Sequence, residues 1–166
     1  MRRIAFVLVL GLVAACGDDG DDRGSGDQVT PCDDVVQEAL DPASSVHVVA
    51  GAPEPEYRYD PPTSGPHTPG PVLSGVLDEP LDRPRQIGQL EAGGILIQYR
   101  PDDLATAQSE QRDRLAGDGV AVVPNPDLPA VVVATAWMHK QTCSSLDVET
   151  LQAFVDTYRG QGPGAD

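Results

Sequence analysis

The clearest hydrophobic pattern lies in the second half of the chain. Gly94-Ile95-Leu96-Ile97-Gln98-Tyr99 is rich in β-branched residues and ended by Pro101, which predicts a strand. Asp102 or Asp103 then caps a predicted helix running to Ala116, with Glu110 and Arg114 at i, i+4 and Gly117 as its stop. Val120 to Val123 and Ala130 to Trp137 predict two further strands. The six residues Pro124 to Pro129 between them suit a hairpin loop, so the pair is expected to be antiparallel. Asp147 caps a last helix with Val148, Leu151, Phe154, Val155 and Tyr158 on one face, before Gly160, Gly162 and Pro163 end it. The order β-α-β-β-α predicts an α+β domain: a small mixed or antiparallel sheet with helices on one face.

The first half is patterned differently. Asp33 to Leu40 predicts a short helix with acids at its N-terminal end and Pro42 as its stop, and Val46 to Val49 predicts a short strand that carries His47. From Gly51 to Pro84 prolines recur so often that neither a central strand nor a long helix is expected. Tyr57, Tyr59, Val72, Leu73, Val76 and Leu81 among them predict an ordered proline-rich coat against the core. Within it, Asp60-Pro61-Pro62-Thr63-Ser64-Gly65-Pro66-His67 is stiff, because each proline fixes its own φ and pushes its predecessor towards extended geometry. Thr63 and Ser64 bond locally and Gly65 is free to take φ > 0, so His67 leaves the turn in one direction. Together with Glu91 in Leu90-Glu91-Ala92-Gly93-Gly94, the residues Thr63, Ser64 and His67 make up a candidate ligand site.

Charge and cysteines narrow the classes. The formal charge is −15, and no basic stripe exists to release counterions from nucleic acid, which excludes that partner. Met1-Arg2-Arg3 followed by the apolar run Ile4 to Val13 reads as a secretory leader, too short to span a bilayer. Leu12-Val13-Ala14-Ala15-Cys16 resembles the lipobox of bacterial lipoproteins, in which the cysteine is lipidated and becomes the new N-terminus. Residues 1–15 are then the signal peptide, 16–30 an acidic, glycine-rich tether, and 31–166 a single domain. The tether buries nothing and reaches roughly 20 Å as a flexible coil, which keeps the domain near a bacterial membrane on its periplasmic or cell-surface side. With Cys16 assigned to lipid, Cys32 and Cys143 remain as an even pair in an oxidising compartment and are expected to be bridged.

Several separated motifs occur in order: Pro61 to His67, Leu90-Glu91-Ala92-Gly93-Gly94, Ala136-Trp137, and Tyr158-Arg159-Gly160-Gln161-Gly162-Pro163. Together they resemble a bacterial family of envelope proteins of unknown function, with PPTSGPH, HxLEHGG and AW motifs and a terminal YRGxGP-like run. The family pattern carries histidines where this chain has Gly88 and Ala92, so the resemblance is to a divergent member. A full set of such histidines resembles a transition-metal site, and this chain keeps only His67 and Glu91 of it.

Three functions compete on these residues. The leading one is a membrane-anchored binding or interaction module with an unidentified protein or small-molecule partner, no cofactor and no assigned catalytic residue. The second is Cu or Zn handling through His47, His67 or His139 with acidic residues. The third is a hydrolase with an unrecognised site. No GxSxG elbow is present, and Gly88, Gly93 and Gly94 precede a strand instead of leading from one into a helix, so they form no phosphate cradle.

Overall fold

The computed structural model describes residues 30–165. The expected leader, lipidated Cys16 and the tether fall outside the described residues, Thr30 excepted. Among the described residues no helix is long and apolar enough to cross a membrane.

The protein is α+β, with one six-stranded mixed sheet in the order β1-β6-β5-β3-β4-β2. The strands are β1 (Val36–Gln37), β2 (Gly75–Val76), β3 (Ile95–Tyr99), β4 (Val120–Pro124), β5 (Val132–Ala136) and β6 (His139–Cys143). The helices are α1 (Arg83–Glu91), α2 (Ser109–Asp113) and α3 (Val148–Tyr158). β3 lies at the centre, every residue buried, parallel to β4 on one side and antiparallel to β5 on the other.

That arrangement corrects the expected hairpin between the second and third predicted strands. The connection from Pro124 to Val132 steps over the end of β3, held there by Asn125 N donating to Tyr99 O and Arg100 N donating to Val131 O. The connection has to cover only two inter-strand spacings of about 5 Å each, which its length allows. β3 is buried along its whole length, so it needs cover on both edges and both faces, and takes the central position that a direct β4–β5 pairing would deny it. The hairpin that does form joins β5 to β6 through Trp137 and Met138, with Met138 at φ 61.

Alternation along the strands gives the sheet two apolar faces. Ile95, Ile97, Val120, Val122, Val132 and Ala134 pack with Leu151, Phe154 and Val155 of α3. On the other face Leu96, Ala121 and Val123 pack with Leu90 of α1, joined by Leu73, Leu77, Leu81 and Trp137. The helices therefore lie on both faces, not on one, because both sides of β3 and β4 are apolar.

α1 was not expected from the sequence, where Pro84 reads as the end of a proline-rich run. Asp82 caps the helix by accepting from Arg85 N, Pro84 sits in the first turn where its missing N–H costs nothing, and Gly93 at φ +85 ends it. α3 follows the predicted pattern, with Asp147 accepting from Thr150 N. The helix expected from Asp102 to Ala116 is instead two 3-10 turns, Pro101–Asp103 and Thr106–Gln108, followed by the short α2. This stretch has no apolar stripe, so packing gives a longer helix little to hold on to.

Cys32 and Cys143 are bonded, 111 residues apart. In the chain-entropy model such a closure contributes about 4 to 5 kcal/mol. The bond also explains why Asp33 to Leu40 is not the expected helix. Cys32 is bridged to Cys143, Asp33 N donates to Thr142 O and Glu38 N donates to Met138 O, so the segment is drawn out along β6 as β1. Val46 to Val49 likewise forms only a single bridge, His47 to His67, and not a strand.

Candidate functional site

The proline-locked loop is not a surface feature. Every residue from Pro61 to His67 is buried, on the side of the molecule occupied by α1. Gly65 takes φ 136, and a Cβ there would lie 3.2 Å from the Tyr57 ring and 3.5 Å from Ile87 of α1. The Tyr57 hydroxyl donates to Pro66 O at 2.9 Å. Burial, then the nearby carboxylates of Glu54 and Asp82, push the Tyr57 phenol up to about 12.

Both hydroxyls of the loop are engaged internally. Thr63 Oγ1 donates to Glu38 Oε2 at 2.6 Å, and Lys140 Nζ donates to the other oxygen of that carboxylate at 2.7 Å. Ser64 Oγ accepts from Asp41 N at 3.0 Å. The loop is thus tied to the segment after β1 and, through Met138 N donating to Thr63 O, to the β5–β6 turn.

His67 is 1% exposed. Its backbone pairs on both sides of His47, accepting from Val48 N and donating to Val46 O. Nδ1 lies 3.1 Å from Gly65 O, and a carbonyl only accepts, so Nδ1 carries a proton and donates it there. Nε2 faces Glu91 Oε2 at 4.0 Å and has no hydrogen-bond partner. The His47 ring meets it edge-on, 5.0 Å between centroids.

The C-terminal run closes over Glu91. Gly160 N donates to Gly93 O and Gly164 N donates to Glu91 O. A Cβ on Gly162 would fall 2.2 Å from Glu91 O, and one on Gly164 would fall 2.9 Å from Glu91 Oε2. The strap's glycines are what let two backbones approach this closely.

His67 and Glu91 are therefore brought together, with His47 beside them. Thr63 and Ser64 belong to the same loop but are turned to Glu38 and Asp41. His139 is separate: it stacks on Tyr158 of α3 at 4.3 Å, with Nδ1 2.9 Å from Trp137 O, on the opposite face of the sheet from α1. Among the described residues no group of three or more His, Cys, Asp or Glu stands close enough to hold a metal ion. Gly88, where the resemblance places a histidine, has no room for any side chain, since its Cβ would lie 2.1 Å from Thr68 O. Glu38, Asp41 and Lys140 were not found from sequence; Lys140 is 102 residues from Glu38, and nothing local marks the pair. Gly162 was legible only as a helix terminator.

A mixed α+β sheet with this buried loop defines the class, and the sequence comparison places it. A family model described as "Protein of unknown function (DUF3105)" matches residues 49–166, and the chain belongs to that family. No curated protein and no solved structure matches it.

Proposed function

We propose that the chain is a lipid-anchored lipoprotein of the bacterial envelope, whose domain binds a partner and does not transform it. The observation that carries the binding reading is the engagement of the loop's reactive groups: Thr63 and Ser64 are both hydrogen-bonded inside the fold and His67 is 1% exposed. Within this loop no hydroxyl is left beside a base at a reachable surface, which disfavours hydrolysis there. The leader, Cys16 and the acidic tether of the sequence support the anchoring. Mass spectrometry of protein from the native membrane is expected to find diacylglyceryl and acyl groups on Cys16, and Cys16→Ser is expected to free the chain from the membrane. In-cell crosslinking of the anchored protein is expected to recover a reproducible partner. An unmodified Cys16 in soluble native protein would refute the anchoring, and turnover of a substrate abolished by His67→Ala would refute the binding reading.

The Cu or Zn reading has one observation in its favour, the unpartnered Nε2 of His67 facing Glu91. Two donors and an edge-on ring fall short of the three or four ligands that a tight site needs.

A further inference from the structure

Buried polar atoms are almost always hydrogen-bonded. Among the described residues three are not: His67 Nε2, Thr135 Oγ1 and Gln141 Oε1. The imidazole differs from the other two, because one proton turns its free edge from acceptor to donor in the pH range where histidine titrates. Nδ1 is engaged with Gly65 O, so the edge that switches is Nε2, and it faces the Glu91 carboxylate at 4.0 Å. With the ring neutral, two acceptors face each other and neither satisfies the other. With the ring charged, the same approach sets a donor against an anion.

Among the described residues Glu91 is the one carboxylate within 4.0 Å of the ring. It ends α1, where the helix dipole disfavours an anion and the last turn holds no basic residue. Arg83 and Arg85 stand in the first turn of α1, and Arg83 is bridged to Glu54 and Asp60. Glu38 and Lys140 bond each other beside Thr63, and the Tyr57 hydroxyl is spent on Pro66 O. His47, exposed and edge-on at 5.0 Å, opposes a charge on His67 when it carries one itself. The strap, residues 160–165, bears no titratable side chain. Its backbone does bear on the carboxylate: Gly164 N donates to Glu91 O, and a Cβ on Gly164 would fall 2.9 and 3.0 Å from Glu91 Oε2 and Oε1. The Glu91 side chain is 31% exposed against 2% for His67, so the carboxylate is the member free to move. A charge-assisted N–H···O bond spans about 2.8 Å, so closing the pair carries the carboxylate about 1 Å towards the ring.

We propose that His67 and Glu91 form a proton-operated latch on the C-terminal strap. One proton taken from water at Nε2 is donated to Glu91 Oε2, which ties the proline-locked loop, the end of α1 and the strap resting on it into one bonded unit. Loss of that proton as pH rises returns the pair to two facing acceptors, frees the carboxylate and loosens the strap. The latch goes beyond the binding-module reading and does not depend on it.

The test uses the mature chain carrying Cys16→Ser, ¹⁵N-labelled and followed from about pH 8 down to about pH 5. Long-range imidazole correlations are expected to show His67 Nε2 gaining a proton as pH falls. The protection factors of Gly160 and Gly164, corrected for the intrinsic pH dependence of exchange, are expected to rise with the same midpoint. Glu91→Gln keeps the shape and removes the charge; it is expected to weaken proton binding at His67 about two- to fivefold, the range of a partly exposed ion pair, and to diminish the strap's response. His47→Gln and Asp166→Asn are expected to leave that response in place. A His67 ring still unprotonated at Nε2 at the acid end, or strap protection indifferent to pH, would overturn the latch without any variant. An undiminished response in Glu91→Gln, or one lost in His47→Gln, would overturn it as well.

Discussion

His67 Nε2 faces Glu91 Oε2 across 4.0 Å, while the same ring's Nδ1 is fixed by Gly65 O at 3.1 Å. The ring is therefore oriented by its own loop, and the carboxylate comes to it from the end of α1. Two motifs distant in sequence meet here, and a third, the terminal run, lies over them through Gly164 N and Glu91 O.

The strap depends on glycine at one position above the others. Gly162→Ala places a methyl group 2.2 Å from Glu91 O and close to backbone on all sides, so the strap must lift. The expected result is a lower denaturation midpoint and faster hydrogen exchange at Gly160 and Gly164, the two amides that donate to the α1 end. Gly70→Ala meets nothing within 4 Å and serves as the control. Unchanged exchange in Gly162→Ala would show that the strap is not docked.

Glu38 and Lys140 form an ion pair with side chains 8% and 12% exposed, and Thr63 completes the carboxylate's bonding. Removing one partner strands the other charge. Lys140→Met is expected to cost about 3 kcal/mol in urea denaturation, and the double variant Glu38→Gln with Lys140→Met markedly less than the sum of the singles. Strict additivity would mean that the pair is not coupled.

What could be read in the sequence was whatever local pattern decides. β3, α3 with its Asp147 cap, and the pairing of Cys32 with Cys143 follow from β-branched runs, a helical stripe and cysteine parity. Part of what failed was decided by distant partners. Asp33 to Leu40 carries helix signals, but the bond to Cys143 lays it along β6 as a strand. α1 hides behind Pro84, a residue that starts helices as readily as it breaks them. At the site, His67 and Glu91 were legible as a pair of motifs, whereas the Glu38–Lys140 support depends on a contact that only the fold creates.

Tyr57 gives the fold an alkaline limit. Its phenol is raised from 10.0 to about 12, first by burial and then by Glu54 and Asp82. Because the folded value is the higher, the stabilising contribution is whole below pH 10 and is lost as pH rises from there to about 12, where the unfolded chain has already released its proton. Ultraviolet titration is expected to show a late-ionising phenol that Tyr57→Phe removes, and that variant is expected to lose less stability over the same interval. A last phenol still titrating late in Tyr57→Phe would reassign the effect.

The metal reading is decided at His67. A tight Zn or Cu site needs three or four donors and partners that orient them. Here both domain cysteines are in the disulfide, Gly88 has no room for a side chain, and His139 stacks on Tyr158 on the far side of the sheet. His67 and Glu91 are left with His47 as their only imidazole neighbour, edge-on at 5.0 Å. Purified mature protein is therefore expected to carry no stoichiometric metal by elemental analysis, and added Zn to bind weakly through surface carboxylates. His67→Ala is expected to leave metal content unchanged and to cost about 2 to 4 kcal/mol, because it opens a cavity under α1 and takes the donor from Gly65 O. One equivalent of tightly held metal, lost in His67→Ala, would make metal handling the function and the binding module the wrong account.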